Sequence, residues 1–365
     1  MQPTESPCIS APTVIDGNHR FDTECLAFPR LEHTREPTAT ISKCGLEDLY
    51  APLYPRLNDI LRLPHLGSLV GGILRIAVSG TSGFLGANLM ANLPNRGHEV
   101  VAIHRHARAC SIGGEKCIPG TSNGNKLKAA FRDSDIDAIV IAGAADSRED
   151  STTATKLLVQ GNVEFPSHIL AAAHEAMVNR LLIVGSSWQE VRGDGFDPKD
   201  LYAATKQAFK VIASHFANKG FDVAELQLFE TYGPGDTRSK VYNLILDAAI
   251  RGETIGLSPG EQELHLVHVI DVCAAVDGAL TAPHAPGLKT YSVDAESAIT
   301  VTELANLIKR IIPDFTFQLG HRKYREGEIM KPASQYPRPP KWNPEIPLEV
   351  GLRECVARRR QDDEN

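Results

Sequence analysis

A recognisable cysteine-pairing pattern is the first thing this sequence lacks. Seven cysteines stand in 365 residues, at positions 8, 25, 44, 110, 117, 273 and 355, an odd number with no CxxC among them. Neither the density nor the spacing is that of a small disulfide-stapled secreted domain, and the thiols are expected to be reduced. Long apolar runs are also lacking, so no membrane-spanning helix is expected. Met1 to Pro7 has neither the positive flank nor the following apolar run of a signal peptide. The expected location is the cytoplasm. An excess of positive charge is missing too: the formal net charge is -7, which gives no reason to expect nucleic acid as a partner. No internal repeat at a fixed period is apparent, which argues against a solenoid or propeller.

What is present is an ordinary globular composition, 42% hydrophobic and 23% charged, with a sharp change of character near residue 73. Residues 1–72 are rich in proline and polar residues without helical or strand period, and are expected to be a disordered or atypical N-terminal extension. An over-extended gene start would also account for them. From Ile73 a short apolar run ends in Gly80, the pattern of a buried parallel strand feeding a turn. Further strands are expected at 99–104, 137–143, 180–186 and 221–229. Helical spacing occupies 84–95, 150–176 and 200–219, and later 240–251, 269–281 and 300–311. This alternation predicts an α/β fold, a Rossmann-type doubly wound parallel sheet with a smaller C-terminal α/β substrate-binding lobe. The expected division is 73–235 for the dinucleotide-binding domain, 236–357 mainly for the lobe, and 358–365 for a polar tail.

Directly after the first strand comes Gly80-Thr81-Ser82-Gly83-Phe84-Leu85-Gly86. Glycine there lets the backbone turn tightly and approach a pyrophosphate, leaving a helix N-terminus to face the negative charge. Gly80, Ser82, Gly83, Phe84, Leu85 and Gly86 are therefore candidate cofactor contacts. An Asp or Glu at the end of the second strand would hold the ribose of NAD. This chain has Arg105 in His104-Arg105-His106-Ala107-Arg108. A guanidinium pairs with the 2′-phosphate of NADP, so NADP(H) is favoured with NAD(H) possible, and Arg108 is a helper candidate.

Tyr202-Ala203-Ala204-Thr205-Lys206 opens a helical stretch, and its spacing puts Tyr202 and Lys206 on one face. A nearby ammonium would favour the phenolate, so Tyr202 is expected to exchange the proton and Lys206 to lower its pKa and hold the nicotinamide ribose. Upstream, the strand ending in Ser186-Ser187 offers a hydroxyl to the same substrate oxygen. His265 and His268 form an HxxH without companion ligands at a recognisable spacing, so no metal is expected. They are read as strand and helix-start residues lining a nucleotide pocket.

Taken together, the glycine turn, Ala142-Gly143-Ala144-Ala145, Gly161-Asn162-Val163, Ser187, Tyr202 with Lys206, Thr231-Tyr232-Gly233-Pro234 and His268-Val269-Ile270-Asp271-Val272 resemble the extended short-chain dehydrogenase/reductases. These are also called the NAD-dependent epimerase/dehydratase family, and the resemblance runs from about residue 73 to about 357. It implies that Ser187 is the catalytic hydroxyl, that Asn162 supports the helix and proton path near Lys206, and that Ala144 contacts the cofactor. Thr231 would lie beside nicotinamide and sugar. Dehydratases of the family carry an acidic pair after the catalytic hydroxyl; Trp188 and Gln189 stand there instead, which disfavours dehydration. Leu264 stands where an arginine often meets the nucleotide phosphates. The stretches around Ser187, Tyr202 and Thr231 further resemble the branch that makes CDP-abequose and CDP-paratose from a CDP-4-keto-6-deoxyhexose.

The expectation is an NADPH-dependent reduction of a nucleotide-linked 4-keto-6-deoxyhexose at C4, with Trp188, Arg238 and Lys240 as further substrate contacts. An NAD-dependent nucleotide-sugar epimerase is the alternative, and a non-catalytic dinucleotide-binding sensor or scaffold a second. The family's habits imply a homodimer through the helices at 150–176 and 200–219.

Overall fold

Seven strands line up in parallel, and the alternation of their apolar side chains divides the core into two layers. The computed structural model describes residues 72–105, 117–119, 124–192 and 196–364, which all belong to one compact unit, residues 59–365. The expectations for residues 1–71 and for Arg108 lie outside the described residues.

The strands are β1 (Arg75–Ser79), β2 (Glu99–His104), β3 (Cys117–Pro119), β4 (Ala138–Ile141), β5 (Arg180–Ser186), β6 (Asp222–Leu228) and β11 (Gly287–Val293), in spatial order β11-β6-β5-β4-β1-β2-β3. Each neighbouring pair is parallel. Order reverses between β1 and β4, so the carboxyl ends of those strands open a crevice, the usual ligand site of such sheets. Along β1, β4 and β5, Ala77, Ile139 and Ile183 face one layer while Val78, Val140 and Val184 face the other, the period-two alternation of a sheet covered on both sides.

The first layer is closed by α2 (Gly124–Asp133), α4 (Phe165–Ala176) and α5 (Leu201–Ala217), through Phe131, Leu170 and Phe209. The second is closed by α1 (Phe84–Asn92) and α7 (Val269–Thr281), through Leu89, Val272 and Val276. A third core joins α6 (Val241–Arg251), α8 (Val301–Ile311) and α9 (Leu348–Glu364), with Ile245, Leu304 and Leu352 fully buried. This is the smaller lobe, together with the short pairs β7 (Glu230–Tyr232) with β10 (Leu266–His268), β8 (Ile255–Gly256) with β13 (Phe317–Gln318), and β9 (Glu263–Leu264) with β12 (Ile299–Thr300).

Several expectations change in detail. The stretch 236–357 is not continuous lobe: α7 and β11 return to the main sheet because their apolar faces complete its second layer. The polar tail 358–365 continues α9 to Glu364, where Arg359 pairs with Asp247 at 3.1 Å. Cys117 is disulfide-bonded rather than reduced, whereas Cys273 and Cys355 are free and buried. Among the described residues no helix is long and apolar enough to cross a membrane.

Candidate functional site

The glycine turn is built by close backbone approach. Gly80 has φ +79°, and a methyl placed on it would lie 2.2 Å from Gly143 Cα. A methyl on Gly86 would lie 2.1 Å from the Gly80 carbonyl oxygen. No side chain larger than hydrogen fits either position, so β1, the α1 N-terminus and the loop after β4 meet at one point. Gly83 caps α1 without a side-chain hydrogen bond, leaving the first-turn N–H groups of a nine-residue helix facing the crevice. Beside them the Thr81 hydroxyl is buried without a partner. Uncapped first-turn N–H groups, an orphaned hydroxyl and glycine at the two close approaches suit a pyrophosphate. Ser82 is exposed on the same turn, Phe84 and Leu85 begin the helix half-buried, and Ala144 is exposed on the loop after β4.

Arg105 follows the last residue of β2 and is exposed. Its guanidinium rests 5.7 Å from the Phe165 ring centroid, and a methyl built on Gly161 would lie 3.4 Å from its Nη2.

Asn162 ties the crevice to the helix that carries the tyrosine. It sits in a π-helical turn, Gln160–Glu164, between α3 (Thr152–Val159) and α4. Its Oδ1 accepts the Ala145 N–H at 2.7 Å, and its Nδ2 donates to the Ala145 carbonyl and to Thr205 Oγ1, both at 3.0 Å. Thr205 in turn donates to the Tyr202 carbonyl at 2.8 Å. One buried amide thus clamps the loop after β4 against α5.

The side chain of Asp200 caps α5, accepting from Ala203 N–H at 2.9 Å, and so starts the helix just ahead of the tyrosine. Tyr202 is half-buried. Burial drives its phenol well above the ordinary tyrosine range; Asp146, Asp200 and Glu230 push the same way, and Arg238 opposes them. One turn on, Lys206 is buried and donates from Nζ to the Val184 carbonyl at the end of β5. Burial lowers the lysine to about 8, against an opposing pull from Glu225. The expected lowering of the tyrosine by Lys206 is therefore not the balance seen: burial dominates at Tyr202, and the ammonium is engaged by a backbone carbonyl. Ser187 opens the 3-10 turn after β5, half-buried.

Around Trp188 the surface turns basic. Lys199 Nζ stands 3.9 Å and Lys240 Nζ 5.1 Å from the indole centroid, and Lys240 also pairs with Glu230 at 3.2 Å. A cleft of about 180 Å³ opens beside the indole, with Arg148, Lys199, Lys240, Arg322, Lys323 and Arg325 in its wall against Glu230 and Glu328. Leu264, in the place expected of an arginine, lines the same cleft. Sequence reasoning missed Arg148, Lys199 and the 322–325 group. The signal was the basic run His321-Arg322-Lys323-Tyr324-Arg325.

Other expected contacts are engaged elsewhere. Arg238 forks onto Asp236 at 2.8 and 2.7 Å, donates to the Thr231 carbonyl at 2.8 Å and lies 4.8 Å from the Phe84 ring centroid. It joins the loop after β7 to the start of α1, while Thr231 is buried in β7. Gln189 is wholly buried and turned inward, its amide donating to Gln207 and Glu225. His268 caps α7, as read from the sequence, but packs on Tyr232 and Glu354 rather than lining the cleft.

The sequence pattern of the NAD dependent epimerase/dehydratase family matches residues 76–293. The chain is 28% identical to a CDP-abequose synthase of Yersinia pseudotuberculosis over 273 residues, 72% of this chain and 93% of the relative. It is 24% identical to a CDP-abequose synthase of Salmonella typhimurium, covering 78% of this chain and 97% of the relative. Among solved structures, MoeE5 in complex with UDP-glucose and NAD superimposes with a TM-score of 0.67 at 23% identity, covering 79% of this chain and 99% of that one. The UDP-glucose 4-epimerase of Thermus thermophilus in complex with NAD gives 0.65 at 22% identity, with the same coverage. These two show the fold.

Proposed function

Because the chain belongs to the NAD dependent epimerase/dehydratase family, we propose that it is a nicotinamide-dependent sugar-nucleotide reductase acting on a nucleotide-linked 4-keto-6-deoxyhexose at C4. The observation that carries the substrate class is the basic cleft beside Trp188, where six cations face two carboxylates; a diphosphate is the natural complement of such a wall. The two relatives named CDP-abequose synthase support a nucleotide deoxysugar, and the resemblance read from the sequence supplies the keto group.

When bound, a reduced nicotinamide would supply the hydride that the C4 carbonyl carbon accepts. Gly80, Gly83 and Gly86, with the α1 N-terminus, Thr81 and Ser82, would hold its pyrophosphate, and Ala144 would line the adjoining loop. Arg105, exposed at the end of β2, favours the 2′-phosphate of NADP over NAD. Ser187 hydrogen-bonds the substrate carbonyl oxygen, and Tyr202 donates its proton to that oxygen as the C–H bond forms. A phenol kept in its protonated form by burial suits a donor. Lys206 would hold the nicotinamide ribose, and Asn162 keeps its helix in place. Leu157 and Val159 on α3 and Val211 on α5 are exposed apolar residues, which supports the homodimer.

The test is to mix the protein with NADPH or NADH and CDP-, dTDP-, GDP- and UDP-linked 4-keto-6-deoxyhexoses, following loss of reduced nicotinamide and identifying products by mass. NADPH consumption with one nucleotide series is the expected result. Isomerisation of a parent nucleotide sugar without net cofactor consumption would assign an epimerase instead, and cofactor binding with no turnover of any sugar a sensor or scaffold.

A further inference from the structure

Gln189 has no exposed surface, although it stands only two positions beyond the serine read as the catalytic hydroxyl. A buried amide is costly unless both of its ends are held. Its oxygen looks back along the chain: Oε1 accepts the Ser186 N–H at 2.8 Å. Its nitrogen meets the sheet and the tyrosine helix: Nε2 donates to Glu225 Oε1 at 2.9 Å and to Gln207 Oε1 at 3.0 Å. Glu225, wholly buried on β6, is fixed in turn, because its Oε2 takes Lys210 Nζ at 2.9 Å and Thr290 Oγ1 at 3.1 Å. A continuous line of donors and acceptors therefore runs from β11 and α5, through β6, to the turn that follows β5.

Ser187 hangs on that line. Gln189 pins the residue before it. The residue after it, Trp188, donates its N–H to Ser186 Oγ at 3.3 Å and accepts the Lys199 N–H on its carbonyl at 2.9 Å. Ser187 is thus the first residue of a single 3-10 turn tied on both flanks, and its own hydroxyl takes no part in the tying. Glycine at 185 leaves the space in which amide and carboxylate meet: a methyl there would lie 2.9 Å from Gln189 Oε1 and 2.8 Å from Glu225 Oε1. An amide is the group this place requires. A carboxylate at position 189 could still accept the Ser186 N–H, but it would offer Glu225 an oxygen in place of a donor, and two buried carboxylates at that range repel.

We propose that Gln189 is a positioning residue: resting on the reading of Ser187 as the hydroxyl that bonds the substrate carbonyl oxygen, its amide joins the fixed Glu225 carboxylate to the Ser186 N–H and so sets where the Ser187 hydroxyl stands.

The full-length protein is compared with Gln189→Glu, and with Gln189→Glu combined with Glu225→Gln, in which amide and carboxylate exchange places and the donor between the two positions returns without a change of net charge. Backbone hydrogen exchange, followed by nuclear magnetic resonance without cofactor or substrate, reads the anchor. Gln189→Glu is expected to speed exchange of the Ser186 N–H by about tenfold or more while the middle of β5 is unchanged, and the paired variant to bring it back towards wild type. Steady-state kinetics with the nucleotide sugar found in the reductase assay reads the consequence. With Gln189→Glu, kcat should fall about 10- to 100-fold and KM stay within about twofold. The paired variant should recover kcat, and in a Ser187→Ala background Gln189→Glu should lower it no further. Unaltered Ser186 exchange, no recovery in the paired variant, or a kcat loss that persists in the Ser187→Ala background overturns the proposal; the last is what a merely structural residue would give. If Gln189→Glu does not fold, Gln189→Met takes its place: faster Ser186 exchange with lower kcat supports the proposal, and no change in either overturns it. A wild type that turns over no sugar, or a Ser187→Ala variant with undiminished kcat, sinks the functional reading instead, and the Ser186 exchange with its recovery then decides on its own whether Gln189 holds the turn.

Discussion

Tyr202 and Lys206 share one face of α5, yet their surroundings push them in different directions: the phenol is held protonated by burial and nearby carboxylates, and the ammonium is brought down to about 8. Tyr202→Phe is expected to lower turnover by about 10² to 10⁴-fold while leaving cofactor affinity nearly unchanged, measured by steady-state kinetics and fluorescence titration. For Lys206 the sign follows from its ordinary value of 10.5. Below pH 8 it is charged both folded and unfolded, and the full burial penalty applies. Between 8 and 10.5 the folded lysine has released its proton while the unfolded one keeps it, so the stability contribution rises with pH through that window. Urea unfolding of wild type against Lys206→Met should show their difference growing by on the order of 3 kcal/mol between those limits. Arg105→Glu should shift preference from NADPH towards NADH by tenfold or more, about 1.4 kcal/mol, in comparative kinetics. Tyr202, Lys206 and the glycines were legible because their chemistry is written in local spacing. Arg148 and Lys199 were not, since only the fold brings them into one wall with the basic run at 322–325.

At the scale of elements, the crevice depends on two junctions of different kinds. Gly80→Ala meets both a left-handed backbone and the Gly143 backbone, and should cost about 3 kcal/mol with loss of cofactor binding. Gly97→Ala shares the positive φ but has nothing within 4 Å, so a loss of about 1 kcal/mol is expected in the same unfolding assay, with cofactor binding intact. Asn162→Ala strips hydrogen bonds from Ala145 N–H, the Ala145 carbonyl and Thr205; a loss of about 3 kcal/mol is expected. The limits of β2 and β5 were legible to the residue because strands buried on both faces form short apolar runs with abrupt ends. The π-helical turn was not, since one extra residue in a long helical stretch barely disturbs its apolar spacing. Nor was β7, whose three residues become a strand only by pairing with β10 from far along the chain.

The described residues form a sheet with a lobe spliced into it, and its class was legible from the alternation of strand and helix. The return of α7 and β11 to the sheet was not, because a linear boundary cannot show a chain that leaves a domain and comes back. On the outer surface, exposed Val211 lies on α5, and Leu157 on α3. Light scattering should give twice the chain mass, and Val211→Glu half of that, since a buried carboxylate in an apolar interface has no partner. The seven register pairs between β6 and β11 join residues 65 positions apart, with all of α6 and α7 between them. During synthesis, β6 therefore leaves the ribosome long before its outer neighbour exists, and waits with an open edge able to recruit a strand from another nascent chain. A message cut short before codon 287 would yield a protein containing Tyr202, Lys206 and the glycine turn and yet prone to aggregate, because the last stroke of the sheet had never been delivered.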